Sequence, residues 1–139
     1  MVKIHFTTVG PRLRNDDVRR AEALLGVTLP QDYVRFLFDT NGGWAGDSAG
    51  RYCFPVYGLK GSDTSSIHVM HSALRTDDDS GIFEETQSIM DRLPDGVIVT
   101  GCDLAGGLIV LGTRGEYRNR VMLRVTDEEV PRRSAFRPV

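Results

Sequence analysis

Apolar positions change their period along this chain, and the change divides it into helical and extended parts. Between Asn15 and Gly26, Val18, Ala21, Leu24 and Leu25 recur at the spacing of one helix face. Asn15 and Asp16 suit the N-cap, Asp16 and Asp17 place negative charge against the positive end of the helix dipole, and Gly26 offers a left-handed stop. A second helix is predicted directly afterwards. Pro30 suits a first helical position, where its missing N–H would have no partner anyway. Tyr33, Phe36 and Leu37 form an apolar stripe, Val34 and Phe38 broaden it, and Asn41-Gly42-Gly43 ends it.

The middle of the chain is less periodic. From Gly42 to Gly50 it is polar and glycine-rich, which reads as a surface loop. Arg51 to Val56 reads as a strand that Pro55 shortens or confines to an edge. Between Tyr57 and Ser80 the pattern conflicts: Ile67, Met70, His71 and Leu74 fit a helical stripe, while their flanks resemble loops. Asp77-Asp78-Asp79-Ser80-Gly81 reads as an exposed turn, and Ile82 to Leu93 suits a helix with Ile82, Thr86, Ile89 and Leu93 along one side.

The last third is extended. Val97-Ile98-Val99-Thr100 is β-branched throughout and lies between Pro94-Asp95-Gly96 and Gly101. Leu108-Ile109-Val110-Leu111 follows the turn Ala105-Gly106-Gly107. A further strand is predicted from Asn119 to Val125, where Val121, Leu123 and Val125 alternate with Met122 and Arg124. Connections this short cannot hold a crossover helix, so the strands pair antiparallel. Two N-terminal helices followed by a mainly antiparallel sheet make an α+β arrangement.

Composition narrows the class. The 139 residues suit a single domain, 1–139. A chain of this length buries roughly two thirds of its unfolded surface and needs no disulfide or metal staple. Hydrophobic residues at 40% and charged residues at 26% are ordinary for a globular protein. No apolar run approaches the ~20 residues of a membrane span, and residues 1–10 lack a signal-peptide core, so a cytoplasmic location is expected. Cys53 and Cys102 show no CxxC or Cys/His clustering, which favours free thiols over a disulfide. A net charge of −2 argues against a dedicated nucleic-acid binder. Charge is nonetheless uneven. Asp39 to Asp95 holds ten acids and four bases, whereas Arg114 to the end holds seven arginines and four acids. Such asymmetry can steer a charged partner, although a solvated surface also carries it.

Two stretches resemble a known family. The first runs Glu22-Ala23-Leu24-Leu25-Gly26-Val27-Thr28-Leu29-Pro30-Gln31-Asp32-Tyr33-Val34-Arg35-Phe36-Leu37 and ends in Asn41-Gly42-Gly43. The second runs from Pro94-Asp95-Gly96-Val97-Ile98 through Asp103 and Gly106-Gly107 to Leu108-Ile109-Val110-Leu111, then Val121-Met122-Leu123. In order and spacing they are similar to the SMI1/KNR4 family, also called the SUKH superfamily: a short helix, Leu-Pro-x-x-Tyr, Phe-Leu, Asn-Gly-Gly, then an Asp-x-x-Gly hairpin and a strand. The resemblance implies a SUKH-like fold. It also implies a protein-binding role, since bacterial members are regarded as immunity proteins that neutralise a toxin, often a nuclease, and fungal members act in cell-wall synthesis and signalling through protein partners. Neither role needs a catalytic residue or a cofactor.

Reactive constellations are weak by comparison. His68 and His71 would share a face if helical, and Asp47, Asp77, Asp78, Asp79 and Asp103 could complete a metal site, which makes a metal-dependent hydrolase the alternative reading. The pair lacks the glutamate and spacing of HExxH. Ser48, Ser62, Ser65 and Ser66 lie in no GxSxG elbow. Cys102 with a histidine is a formal nucleophile pair, but Gly101-Cys102-Asp103 reads as a strand end. The glycines around Trp44 follow a helix, so they cannot offer N-terminal amides to a phosphate. Trp44 is the one tryptophan and lies in a glycine-rich stretch. Two roles are open to it: a lid over the core, or an anchor for a partner. The expected partner-binding residues are Trp44, Asp47, Asp77, Asp78, Asp79, Glu84 and Glu85, facing a protein such as a basic toxin, with a regulatory scaffold as a further alternative.

Overall fold

Helix α1 (Asn15–Leu25) begins one residue earlier than its capping side chains suggest. Arg14 holds the N-cap position, and its N–H donates to the Asp17 carboxylate at 2.8 Å. Val18 and Ala21 are buried and Leu25 packs against them, whereas Leu24 is exposed. Successive helical residues turn by about 100°, so Leu24 falls off the face that Val18, Ala21 and Leu25 share. Gly26 closes the helix at φ 68°, its N–H donating to the Glu22 carbonyl at 2.8 Å. The Glu22 side chain then accepts the Leu29 N–H at 2.7 Å, which fixes the entry to α2 (Gln31–Asp39). Pro30 stands just outside that helix, as its cap. The computed structural model describes residues 6–45, 53–58, 61–77, 79–103, 106–124 and 136–138.

Among the described residues seven strands follow: β1 (Gly43–Trp44), β2 (Cys53–Gly58), β3 (Gly61–Met70), β4 (Val97–Asp103), β5 (Leu108–Gly112), β6 (Val121–Arg124) and β7 (Phe136–Pro138). They run β1-β3-β4-β5-β6-β7, all antiparallel, with β2 also paired to β3. β3 pairs with β2 over Gly61–Ser66 and with β1 at Val69–Met70. Among the described residues β2 is hydrogen-bonded on this side alone, the edge position that Pro55 requires. Gly43 and Trp44 are therefore strand, not loop.

Three expectations fail here for identifiable reasons. The helical stripe through Ile67, Met70, His71 and Leu74 is not a helix. A hairpin pairing Gly58 with Gly61 sets β3 in register with β2 as far as Ser66, and β3 then runs on to Met70 against β1 and β4. The strand expected from Asn119 begins at Val121, because Asn119 adopts φ 64° and the Arg120 N–H turns back to Tyr117. The helix expected over Ile82–Leu93 stops early: α3 (Gly81–Ser88) gives way to a 3₁₀ turn at Met90–Arg92.

Helix α3 takes over where β3 leaves the sheet. β3 pairs with β4 only over Gly101–Asp103, so the first half of β4 has no strand on that side. Thr86 of α3 fills the gap, its hydroxyl accepting the Val99 N–H at 2.9 Å. The helix thereby reaches both faces of the sheet. Ile82 joins the core of Leu13, Val18, Ala21, Leu29, Leu37, Ile98 and Leu111. Ile89, just beyond its end, packs with Val97, Val99, Val110 and Met122 on the opposite face.

Neighbouring residues of α2 separate burial from mere hydrophobicity. Leu37 is wholly buried, whereas Phe38 is 37% exposed. Leu37→Ala should lower the unfolding free energy by about 2–5 kcal/mol, while Phe38→Ala should cost under about 1 kcal/mol, as surface substitutions do. Urea unfolding of the two variants checks this.

Candidate functional site: an exposed tryptophan beside a clamped acidic loop

Between β3 and α3 two side chains organise the described part of the crossing, the buried Asn41 and the half-buried Asp79. Asn41, just past α2, donates from Nδ2 to the Pro11 carbonyl at 2.9 Å and accepts the Ala73 N–H at Oδ1 at 2.8 Å. Gly42 lies against the same segment with φ 72°, and a Cβ there would meet the Met70 carbonyl at 2.6 Å. Asp79 holds the far end. Its Oδ1 pairs with His71 Nδ1 at 2.8 Å, and its Oδ2 accepts the Ser72 N–H at 2.7 Å, the Ser72 hydroxyl at 2.9 Å and the Gly81 N–H at 3.2 Å.

This is not an exposed turn throughout. Asp77 is exposed, but Asp79 is half-buried and Gly81 is buried. Burial works against the Asp79 charge, yet hydrogen bonds from His71 and from Ser72 outweigh it and hold the carboxyl at about 2. The same burial, with the Asp79 charge nearby, pushes the Tyr33 phenol above its usual range. Among the described residues its hydroxyl has no hydrogen-bond partner.

Trp44 lies beside this loop. Its backbone is paired on both sides, to Val69 of β3 and by two hydrogen bonds to Thr7, at 2.7 and 2.8 Å. The indole meets the His68 ring edge-to-face with centroids 6.5 Å apart, and it remains 44% exposed. The side chain is therefore not a lid over the core. A hollow of about 220 Å³ separates it from the loop, lined in part by Thr8, Asn41, Trp44, Thr76 and Asp79. A larger cleft of about 1040 Å³ opens between α2 and the sheet, with Tyr33 and Phe36 on one wall and Ile67, Ile109, Leu111 and Val121 on the other. Of the hydroxyls on its lining residues, that of Thr100 donates to the Ile109 carbonyl and that of Thr113 to the Gly96 carbonyl.

The expected binding residues fall into groups. Trp44 and Asp79 border one hollow. Glu84 and Glu85 are half-buried on the first turns of α3, and Glu85 accepts the Ser80 hydroxyl. Asp47 and Asp78 lie outside the described residues. His68 and His71 do not share a helix face: His68 sits in β3, and His71 lies past its end and is turned to Asp79. Among the described residues, no three His, Cys, Asp or Glu side chains gather as metal ligands would. Asp103 instead closes the β4–β5 hairpin, accepting the Gly107 N–H at 2.6 Å. Cys102 is a free thiol that burial pushes up, which keeps it protonated and unreactive. Asn41 and Ser72 escaped the sequence reading. Asn41-Gly42-Gly43 signals a helix stop, and nothing in it reveals that the asparagine reaches 32 positions ahead to Ala73.

Two helices leading into an antiparallel sheet, with Leu29-Pro30 and Asn41-Gly42-Gly43 at the corners, define an α+β protein of the SUKH type. Comparison with protein-family models matches residues 12–135 to the SMI1 / KNR4 family (SUKH-1), and the chain belongs to that family. Comparisons with curated proteins and with solved structures gave no match. Among the described residues, no helix is long and apolar enough to cross a membrane.

Because Asp79 titrates near 2 in the folded protein against 3.8 in its ordinary state, its contribution is complete above pH 5 and is lost as pH falls through about 2. A depression of this size is worth about 2 kcal/mol. Asp79→Asn should therefore lose about 2 kcal/mol at pH 7, and the gap to the parent should close toward pH 2, as read by denaturant unfolding across a pH series.

Proposed function

We propose that the chain is a single cytoplasmic binding domain that neutralises a toxin by forming a complex with it, without catalysis. Membership of the SMI1/KNR4 family supports a protein-binding role. The observation that carries the reading to a surface is Trp44, an indole held rigidly in a paired strand yet 44% exposed. Tryptophan loses little conformational entropy on binding and brings a large contact area, which is why it recurs at interface hot spots.

Charge supplies the partner's character. Asp77 is exposed in the same loop as Thr76 and Asp79, and Glu84 and Glu85 follow on α3, within the stretch of ten acids and four bases. A basic toxin such as a nuclease would be drawn to this side, gaining association rate more than final affinity. Asp79 adds its charge from within the loop, where Oδ2 is occupied by Ser72 and Gly81. Asp47 and Asp78 belong to the proposal on their charge alone.

Co-expression with a toxin domain found encoded beside this gene should restore growth, and the purified pair should form a stoichiometric complex. Trp44→Ala should weaken that complex by about 2 kcal/mol or more, some thirtyfold in Kd. Reversing Asp77 and Glu84 to lysine should slow association and flatten its salt dependence, as surface plasmon resonance would show. Absence of any complex with the wild-type protein would sink the reading. Unchanged binding by both variants would move the surface elsewhere.

A further inference from the structure

The hollow between Trp44 and Asp79 has the size, charge and walls of a socket for one side chain. At about 220 Å³ it falls below the ~300 Å³ at which pockets for whole small molecules begin. Its walls combine an aromatic ring, the Asp79 carboxylate, and the polar groups of Thr8, Asn41 and Thr76, and among the described residues no basic side chain lines it. The carboxylate is not saturated. Three of its four contacts fall on Oδ2, so Oδ1, bonded to His71 alone, keeps acceptor capacity for one more donor. Asn41 and Asp79 are both held by hydrogen bonds, and the indole is fixed by its strand and by His68, so the socket is preorganised.

We propose that this hollow receives an arginine side chain of the protein partner, its guanidinium against the Trp44 ring and donating to Asp79. This rests on the reading of the chain as a protein-binding domain and names the group that its surface recognises. A planar cation on a long apolar stem meets each wall at once. The stem lies along Val69 and Met70, the flat face stacks on the indole, and an N–H completes Oδ1. The surrounding acids, with Asp77 nearest in sequence, favour a cation over a neutral group of the same shape. Arg75, exposed in the same loop, is not among the residues lining the hollow.

Trp44 is the sole tryptophan, so its fluorescence reports on this site alone. The full chain is titrated with N-acetylarginine amide and, separately, with N-acetylcitrulline amide, which has the same shape and no charge. The arginine compound should change the Trp44 emission saturably in the millimolar range, and the citrulline compound should not. Thr8→Lys then places a competing ammonium at the rim. Thr8 is exposed and already at φ 52°, where an unbranched side chain fits no worse than threonine, so the fold is retained. This variant should lose at least tenfold in apparent affinity. An equal response to citrulline, an arginine response undiminished in Thr8→Lys, or no saturable response at all would each overturn the proposal. Growth rescue by the wild-type protein is a separate readout, so failure of the socket and failure of the toxin-binding role are told apart.

Discussion

The Asp79 carboxylate is the constraint on which the middle of the molecule depends. β3 leaves the sheet at Met70, and the chain must travel to α3 with its backbone amides partly buried. Such amides are costly unless paired. One carboxylate answers for two of them, those of Ser72 and Gly81, and ties down His71 as well. Asn41 satisfies a third, that of Ala73, and through the Pro11 carbonyl links the N-terminal segment to the same loop. A buried charge with this many donors is stable where an isolated one would not be.

The placement of α3 follows from that crossing. Because the loop delivers Gly81 beside the first half of β4, the helix can stand where a strand would otherwise pair, and Thr86 takes up the Val99 amide. One short helix then contributes to the cores on both faces of the sheet, through Ile82 and through the turn at Ile89. Loss of the loop geometry would therefore be felt in both cores.

The same arrangement creates the surface proposed for recognition. Trp44 needs β3 beneath it and Thr7 beside it to stay fixed while exposed, and the hollow at its side exists because the clamped loop stands off from β1. Rigidity and exposure together are what a binding residue requires, since ordering it on contact then costs little. The large cleft between α2 and the sheet adds apolar area, and the Thr100 and Thr113 hydroxyls on its lining are taken up by backbone carbonyls.

The sequence by itself determined what depends on local pattern. Helical spacing located α1 and α2, Gly26 and Asn41-Gly42-Gly43 marked their ends, and the β-branched run at Val97–Thr100 with the apolar run at Leu108–Leu111 identified β4 and β5 with their antiparallel hairpin. The family motifs lie in these same stretches, which is why the family was legible before the fold. Only the tertiary structure decided the rest. Ile67, Met70, His71 and Leu74 fit a helix as a pattern, and it was pairing with β2, β1 and β4 that made the first two of them strand residues. Asp79 looked like one of three solvated aspartates, and its role came from amides brought to it by the loop. Trp44 could have covered the core or faced a partner, and in the strand that pairs with Val69 its indole stays exposed. Periodicity records how a segment meets its own neighbours in sequence. Burial of a charge and exposure of an indole depend on groups far along the chain, which come together only in the folded state.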